Sequence, residues 1–504
     1  MPASSSRGWL ALALVAGTAM RLALVALAPR WGYALDHFEV LGMGEVAAAR
    51  GLVHAYSAPP DALPTLRGWF VQNGVPVVLP RRGVYPPNYP PLATAVFWAQ
   101  SRWLGVGAPD FLANTPYTRL VTSVVPWLFE LTTALGVGLL VHALTARTRT
   151  AAGAAALTWL APPLMMNTAV FGQYDALALA PAVLAVAAMA RGRWIAAGAA
   201  TGVALLAKPQ GLLVLPIAGF AALVATPAGL LPCLGRLARL GGVALATVAL
   251  GSAPWLLADG AAWLERCYRM NFFEVLSYTT LEAYNVWYLA ALLAERHPVY
   301  DVLTSTVTVA GLTRDAWGRV LLGLALAAVA ALAWTRHRRR PALAIVVFAS
   351  LWLWSVFLWP TRVHERYLLY CVPFVIAAAA ALPRLRPVVA AVLVLATMEH
   401  AWPLWRTGPA VGTFDRRAVE RFHEARFQDY WQGRPVTIES AKAGPKPEES
   451  LRLAFTRHRA ERGRTLWLEW TLTLLSLASY GAALVVASER SRADAPADDV
   501  LASA

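Results

Sequence analysis

Apolar stretches long enough to cross a bilayer, roughly 20 residues each, recur along nearly the whole of this chain. Nothing constrains the fold more. Within hydrocarbon the backbone must satisfy its own hydrogen bonds, which leaves helices or a closed barrel, and uninterrupted apolar runs select the helix. The first run, 8–28, reads as a retained helix. Further candidate spans are 118–144, 151–170, 174–190, 193–207, 210–227, 239–257, 317–335, 342–359, 367–382, 387–404 and 466–488. The expectation is an all-α polytopic membrane protein with about 12 transmembrane helices. Composition agrees: 14% of residues are charged, against roughly a quarter in soluble domains, which excludes a soluble enzyme.

The formal charge of +15 comes almost entirely from Arg, since only Lys208, Lys442 and Lys446 are lysines. Many of the arginines cluster in five short connections: Arg147 and Arg149; Arg191 and Arg193; Arg236 and Arg239; Arg336, Arg338, Arg339 and Arg340; Arg384 and Arg386. None of these turns holds Asp or Glu. Basic residues beside helix ends are retained on the cytoplasmic side, so the pattern is a topology signal rather than a nucleic-acid footprint. Alternation then puts 29–117, 171–175, the neighbourhood of Lys208, 258–316 and 361–366 together on the opposite side. Parity puts the polar, Arg-rich segment 405–465 there too, as a small external domain, although its Arg457, Arg459, Arg462 and Arg464 read equally as a span count off by one near residue 400. A final helix and a cytoplasmic tail follow over 466–504. Cys233, Cys267 and Cys371 are too few and too scattered for a disulfide framework or a metal knuckle.

Residues with chemistry gather on that second side. Asp36, His37 and Glu39 follow the first span; Asp36 reads either as a helix cap with Glu39 completing a capping box, or as a catalytic carboxylate. The proline-rich run 85–92 imposes a stiff extended path. Gln173, Tyr174 and Asp175 sit in a very tight turn after Gly172. Lys208, in Lys-Pro-Gln, is either a point charge for a phosphate or a snorkelling side chain. Arg362, His364, Glu365 and Arg366 put three potential cations and a carboxylate within five positions, a set suited to a phosphate and equally to a neutralised interfacial cluster. Asn285 and Trp287 add a polar and aromatic pair, read as sugar-binding or as part of an interfacial belt. Arg21 and Glu130 lie at bilayer depth, where an unpaired charge costs roughly 2.5–3.5 kcal/mol, so they read as an ion pair or as cavity groups.

Taken in order, the acidic residue after the first helix, Tyr89 to Leu92, Gly172 to Asp175, Lys208 to Gln210, Ala283 to Trp287 and His364 to Tyr367 resemble the GT-C superfamily of integral-membrane glycosyltransferases. The likeness is to the dolichyl-phosphate-glucose-dependent glucosyltransferases and their bacterial mannosyltransferase-like relatives, and it spans residues 31–382. It implies a GT-C-like catalytic domain over 1–404 with large external loops at 29–117 and 258–316. It also implies inverting transfer of a hexose, of mannose or glucose type, from a polyprenyl-phosphate carrier. The acceptor would be a glycan, lipid or protein on the outer face of a bacterial cytoplasmic membrane. By position, Asp36 or Glu39 would be the general base; Lys208, Arg362, His364, Glu365 and Arg366 would face the donor; Gln173, Tyr174, Asp175, Asn285 and Trp287 would bind substrate. No Asp-x-Asp motif occurs in the first external loop, and a lipid monophosphate leaves with less charge than a nucleoside diphosphate, so no obligatory metal or cofactor is expected. No nucleic-acid partner is expected either. The competing reading is a flippase or secondary transporter for lipid-linked sugars, whose binding groups would lie nearer the bilayer midplane.

Overall fold

Helices form wherever the apolar runs predict them, and what varies is whether they run unbroken. A computed structural model describes residues 4–31, 34–57, 87–105, 115–271, 279–281, 283–293, 308–410 and 447–489, with strand residues 65–66, 69–72, 75–78 and 82–83. In chain order the helices are α1 (Ser4–Trp31), α2 (Ala34–Arg50), α3 (Pro91–Leu104), α4 (Pro116–Thr145), α5 (Thr148–Trp159), α6 (Pro162–Ala169), α7 (Ala176–Met189) and α8 (Trp194–Ala207). They continue with α9 (Val214–Val224), α10 (Leu230–Asp259), α11 (Val286–Leu293), α12 (Arg314–His337), α13 (Pro341–Leu358), α14 (Val372–Ala381), α15 (Arg386–Ala410) and α16 (Pro447–Ser488). Tight 3-10 turns at Pro209–Leu213 and Glu365–Cys371 lead into α9 and α14.

The sequence expectation treated about 12 spans alike, and the structure sorts them into kinds. Seven helices are long and apolar enough to cross a membrane, and three shorter apolar ones, Ala176–Met189, Trp194–Ala207 and Pro209–Val224, lie among them. Two more of the apolar runs are interrupted. Pro162 and Pro163 begin α6 after the α5 helix has ended, because proline lacks the N–H that would continue the ladder. The turn Glu365–Cys371 precedes α14 in the same way. A further departure lies at 65–83, where two short antiparallel pairs form, Trp69–Gln72 with Val75–Val78 and Thr65–Leu66 with Arg82–Gly83.

Burial divides the bundle as a lipid solvent requires. Helix α13 is buried along its length, whereas α10 exposes Leu230, Leu231, Leu245, Leu250 and Leu257, an apolar outer face with no water-facing stripe. The core runs through α4, α7, α9, α13, α14, α15 and α16.

The two ends of the bundle differ in chemistry. At one end, Arg191 donates to Leu139 O near the close of α4 (2.5 Å), and His337 meets Ala487 O (2.9 Å). Arg236 donates to Ala222 O (2.9 Å), and Arg384 pairs with Glu489. These are the arginine turns. The same helices bring their opposite ends to Asp36, Asp175, Lys208 and Arg366. Helix α15 rises to this second end, where His400 reaches Asn167 (3.4 Å), and α16 returns from it to Ser488. Residues 411–446 and 490–504 lie outside the described residues.

Candidate active site

The site is built around one guanidinium. The turn Glu365–Cys371 winds at three residues per turn, so Tyr367 and Tyr370 share a side while Arg366 is thrown inward. Arg366 Nη1 lies 2.9 Å from Glu365 Oε1 and 3.8 Å from Asp36 Oδ2, and its Nε lies 3.8 Å from Asp175 Oδ2. Those two longer separations exceed a hydrogen bond. Among the described residues, Arg366 Nε has no hydrogen-bond partner, and neither has the buried Oε1 of Gln210, whose Nε2 is 2.5 Å from Tyr367 OH.

Asp36 arrives on α2. It lies inside the first turn of a helix that begins at Ala34, so it is not the N-cap that the capping reading expected; the positive end of the helix dipole still favours its charge. The Nε2 of Gln173 donates to it, and Tyr89 OH donates to Gln173 Oε1 (3.3 Å). Gly44 lets α2 lie against α3, because a Cβ there would come within 2.4 Å of Phe97 O and 2.1 Å of Ser101 Oγ. The side chain of Glu39 lies outside the described residues.

Asp175 arrives on the turn between α6 and α7, where Gly172 takes φ +74°, a conformation other residues resist. Its carboxylate is saturated: Lys208 Nζ (2.6 Å) and Tyr370 OH (2.6 Å) donate to Oδ1, and Asn167 Nδ2 (3.3 Å) to Oδ2. Lys208 stands where α8 ends, facing the Tyr89 ring at 5.4 Å. It is therefore an ion-pair partner rather than a free ammonium.

Two carboxylates on either side of one cation thus meet opposite environments. Burial pushes Asp36 above its ordinary range, only partly offset by Arg366. Burial acts on Asp175 too, but Lys208 and Arg366 outweigh it and hold that carboxyl well below the usual aspartate range. Burial likewise opposes ionisation of Glu365, and Arg366 overrides it, bringing the carboxyl to about 2. His364, 3.6 Å from Glu365 Oε2, is lowered to about 4 by burial and by Arg366, which leaves a neutral imidazole at pH 7.

The remaining expected residues go elsewhere. Arg362 lies 3.6 Å from Asp315 at the start of α12, on a separate ion cluster that includes Arg319. Tyr174 turns into the core, donating to Gln100 Oε1 (2.6 Å) and Thr122 O (2.9 Å). Asn285 and Trp287 bond to the end of α13. Conversely, Tyr370, Asn167 and His400 join the cluster without having been singled out. Only Tyr370 had a local signal, its i, i+3 spacing from Tyr367 in a turn; the others sit inside apolar helices and are revealed by packing alone. Among the described residues, no group of three or more His, Cys, Asp or Glu is placed to hold a metal ion.

No protein-family profile matches the chain, and no curated protein matches it at a significant level. Among solved structures the chain is similar to ArnT from Cupriavidus metallidurans, crystallised with undecaprenyl phosphate bound. That likeness has 18% identity and a TM-score of 0.43, over 95% of this chain and 77% of the other.

Proposed function

We propose that this chain is an integral-membrane glycosyltransferase of the GT-C type, moving a hexose from a polyprenyl-phosphate carrier to an envelope glycan, lipid or protein on the non-cytoplasmic face. The observation that carries this reading is the pairing of a partly exposed carboxylate, Asp36, with the buried Arg366, whose Nε has no hydrogen-bond partner among the described residues. A sugar phosphate needs both groups at once. Asp36 takes the proton of the acceptor hydroxyl, whose oxygen bonds to the anomeric carbon as the bond from that carbon to the phosphate oxygen breaks. The electron pair leaves with the phosphate, and the anomeric centre inverts. The raised pKa of Asp36 suits a base, while the ionised Asp175 and Glu365 keep Arg366 charged and aimed.

Arg366 meets the charge developing on the leaving phosphate, preorganised before the substrate arrives. His364, neutral at pH 7, adds a hydrogen-bonding ring, and Lys208 acts through Asp175. The proposal assigns no obligatory metal, because the Arg366 guanidinium faces the leaving group. The side facing away from the arginine turns is the non-cytoplasmic one in this reading, by the positive-inside rule.

The test is mass analysis of envelope glycans from a deletion strain. Loss of a hexose-sized increment, restored by the native chain and not by Asp36→Asn, supports the proposal; an unchanged glycan profile overturns it.

A further inference from the structure

Asn285 and Trp287, substrate-binding residues by the resemblance, both bond to protein. Asn285 is fully buried. Its Oδ1 accepts from Trp287 N (3.0 Å) and Tyr288 N (3.1 Å), capping α11, while its Nδ2 donates to Phe357 O (3.3 Å). Trp287 Nε1 donates to Trp359 O (2.8 Å). Both acceptors are carbonyls at the end of α13, which lack partners within their own helix. Just before Asn285, residues 279–281 lie beside 362–365 as a short parallel ladder. Arg362 N donates to Thr279 O (3.2 Å), Leu281 N to Val363 O (2.9 Å) and Glu365 N to Leu281 O (3.0 Å).

One segment therefore grips the chain on both sides of Pro360 and reaches the residue next to Arg366. Arg362 within this stretch holds φ +63°, a strained conformation for a side chain other than glycine, so the stretch would not keep this path unaided. We infer that Asn285 and Trp287 are positioning residues: they fix the register of 360–366 on the end of α13 and so place Arg366 between Asp36 and Asp175. The kinetic consequence rests on the transferase reading above; the mechanical one does not.

The experiment compares the native chain with Trp287→Phe and Asn285→Ser in detergent or nanodiscs. Trp287→Phe keeps an aromatic face and removes only the donor to Trp359 O. Asn285→Ser keeps a helix cap and removes the donor to Phe357 O. Hydrogen exchange is read on the peptide covering 361–371, alongside the melting temperature and, with a synthetic polyprenyl-phosphate hexose, kcat and KM. The expected result is exchange at Arg362 and Glu365 accelerated roughly tenfold or more, and kcat reduced by up to about 10²-fold, the scale of an ångström's misplacement, with donor KM little changed. If exchange over 361–371 matches the native chain, the inference fails whether or not the protein transfers sugar. A rise in KM with kcat intact overturns it equally, because that marks a substrate contact. If the native chain shows no transfer, the exchange result still decides the positioning role, and only the proposed function falls. A variant too unstable to purify is replaced by its partner, each having its own carbonyl.

Discussion

Asp36 and Asp175 are the same residue type on either side of one guanidinium, and their surroundings give them different work. Asp175 has its oxygens filled by Lys208, Tyr370 and Asn167, whereas Asp36 holds one side-chain amide and keeps an open edge. Asp36→Asn should leave the fold intact and lower transfer by about 10²- to 10⁴-fold, the range for a lost general base, as read from sugar release. The pH profile follows from the direction of the shifts. A base works as its anion, so activity falls as pH drops through the raised pKa of Asp36, and the acid limb of kcat/KM should lie above the ordinary value of 3.8. Asp175 and Glu365 are depressed, so the stability they contribute is present above their unfolded values and is lost only on further acidification. Mild acid should therefore inactivate reversibly before it unfolds, which parallel activity and melting curves would show. Lys208→Met should cost roughly 3–5 kcal/mol, because it strands a buried carboxylate, and Lys208→Met with Asp175→Asn should recover part of the lost melting temperature.

Between elements, the feature that most needs an explanation is the break from α5 to α6, whose second half ends at the turn bearing Asp175. Arg21 on α1 braces it. Its guanidinium donates to Glu130 Oε2 (2.7 Å) and to Trp159 O (3.0 Å), the latter a carbonyl at the end of α5, and it stacks 3.6 Å from the Trp159 ring. Thr168 on α6 donates to the other oxygen of Glu130. Two helices, α1 and α4, are thus tied to both halves of the broken one through a single buried pair. Arg21→Met should destabilise by roughly 3–5 kcal/mol through the unpaired Glu130. Arg21→Met with Glu130→Gln should be milder than Arg21→Met alone, and a thermal shift series in nanodiscs measures both.

At the scale of the molecule, the helix directions separate the arginine turns from the chemical groups by the length of the bundle. The two ends should therefore label from opposite sides. His54, exposed beside Asp259, and Arg147, in the turn after α4, serve as reporters in a chain whose Cys233, Cys267 and Cys371 are buried. A membrane-impermeant maleimide should modify His54→Cys in intact cells and Arg147→Cys only after permeabilisation. Labelling of both from one side would contradict the bundle's polarity.

How far the sequence reached depends on the range of the forces involved. Apolar length and arginine placement are local quantities, so the helical class and the sharing of one end by Asp36, Asp175, Lys208 and Arg366 were legible. The sequence also picked out Asn285, Trp287, Tyr174 and Arg362, but not what they touch. Their actual partners, the carbonyls of α13, the side chain of Gln100 and the carboxylate of Asp315, lie tens of residues away or more and could not be read from neighbouring positions. Asn167 and His400 were hidden for the same reason, each a polar residue in an apolar helix whose meaning depends on what packs beside it. The sequence by itself determined which residues stand at the same end of a helical membrane bundle. Only the tertiary structure decided which of them touch, because contact at 3 Å is set by the packing of distant helices, whereas membrane sidedness is set by each segment's own composition.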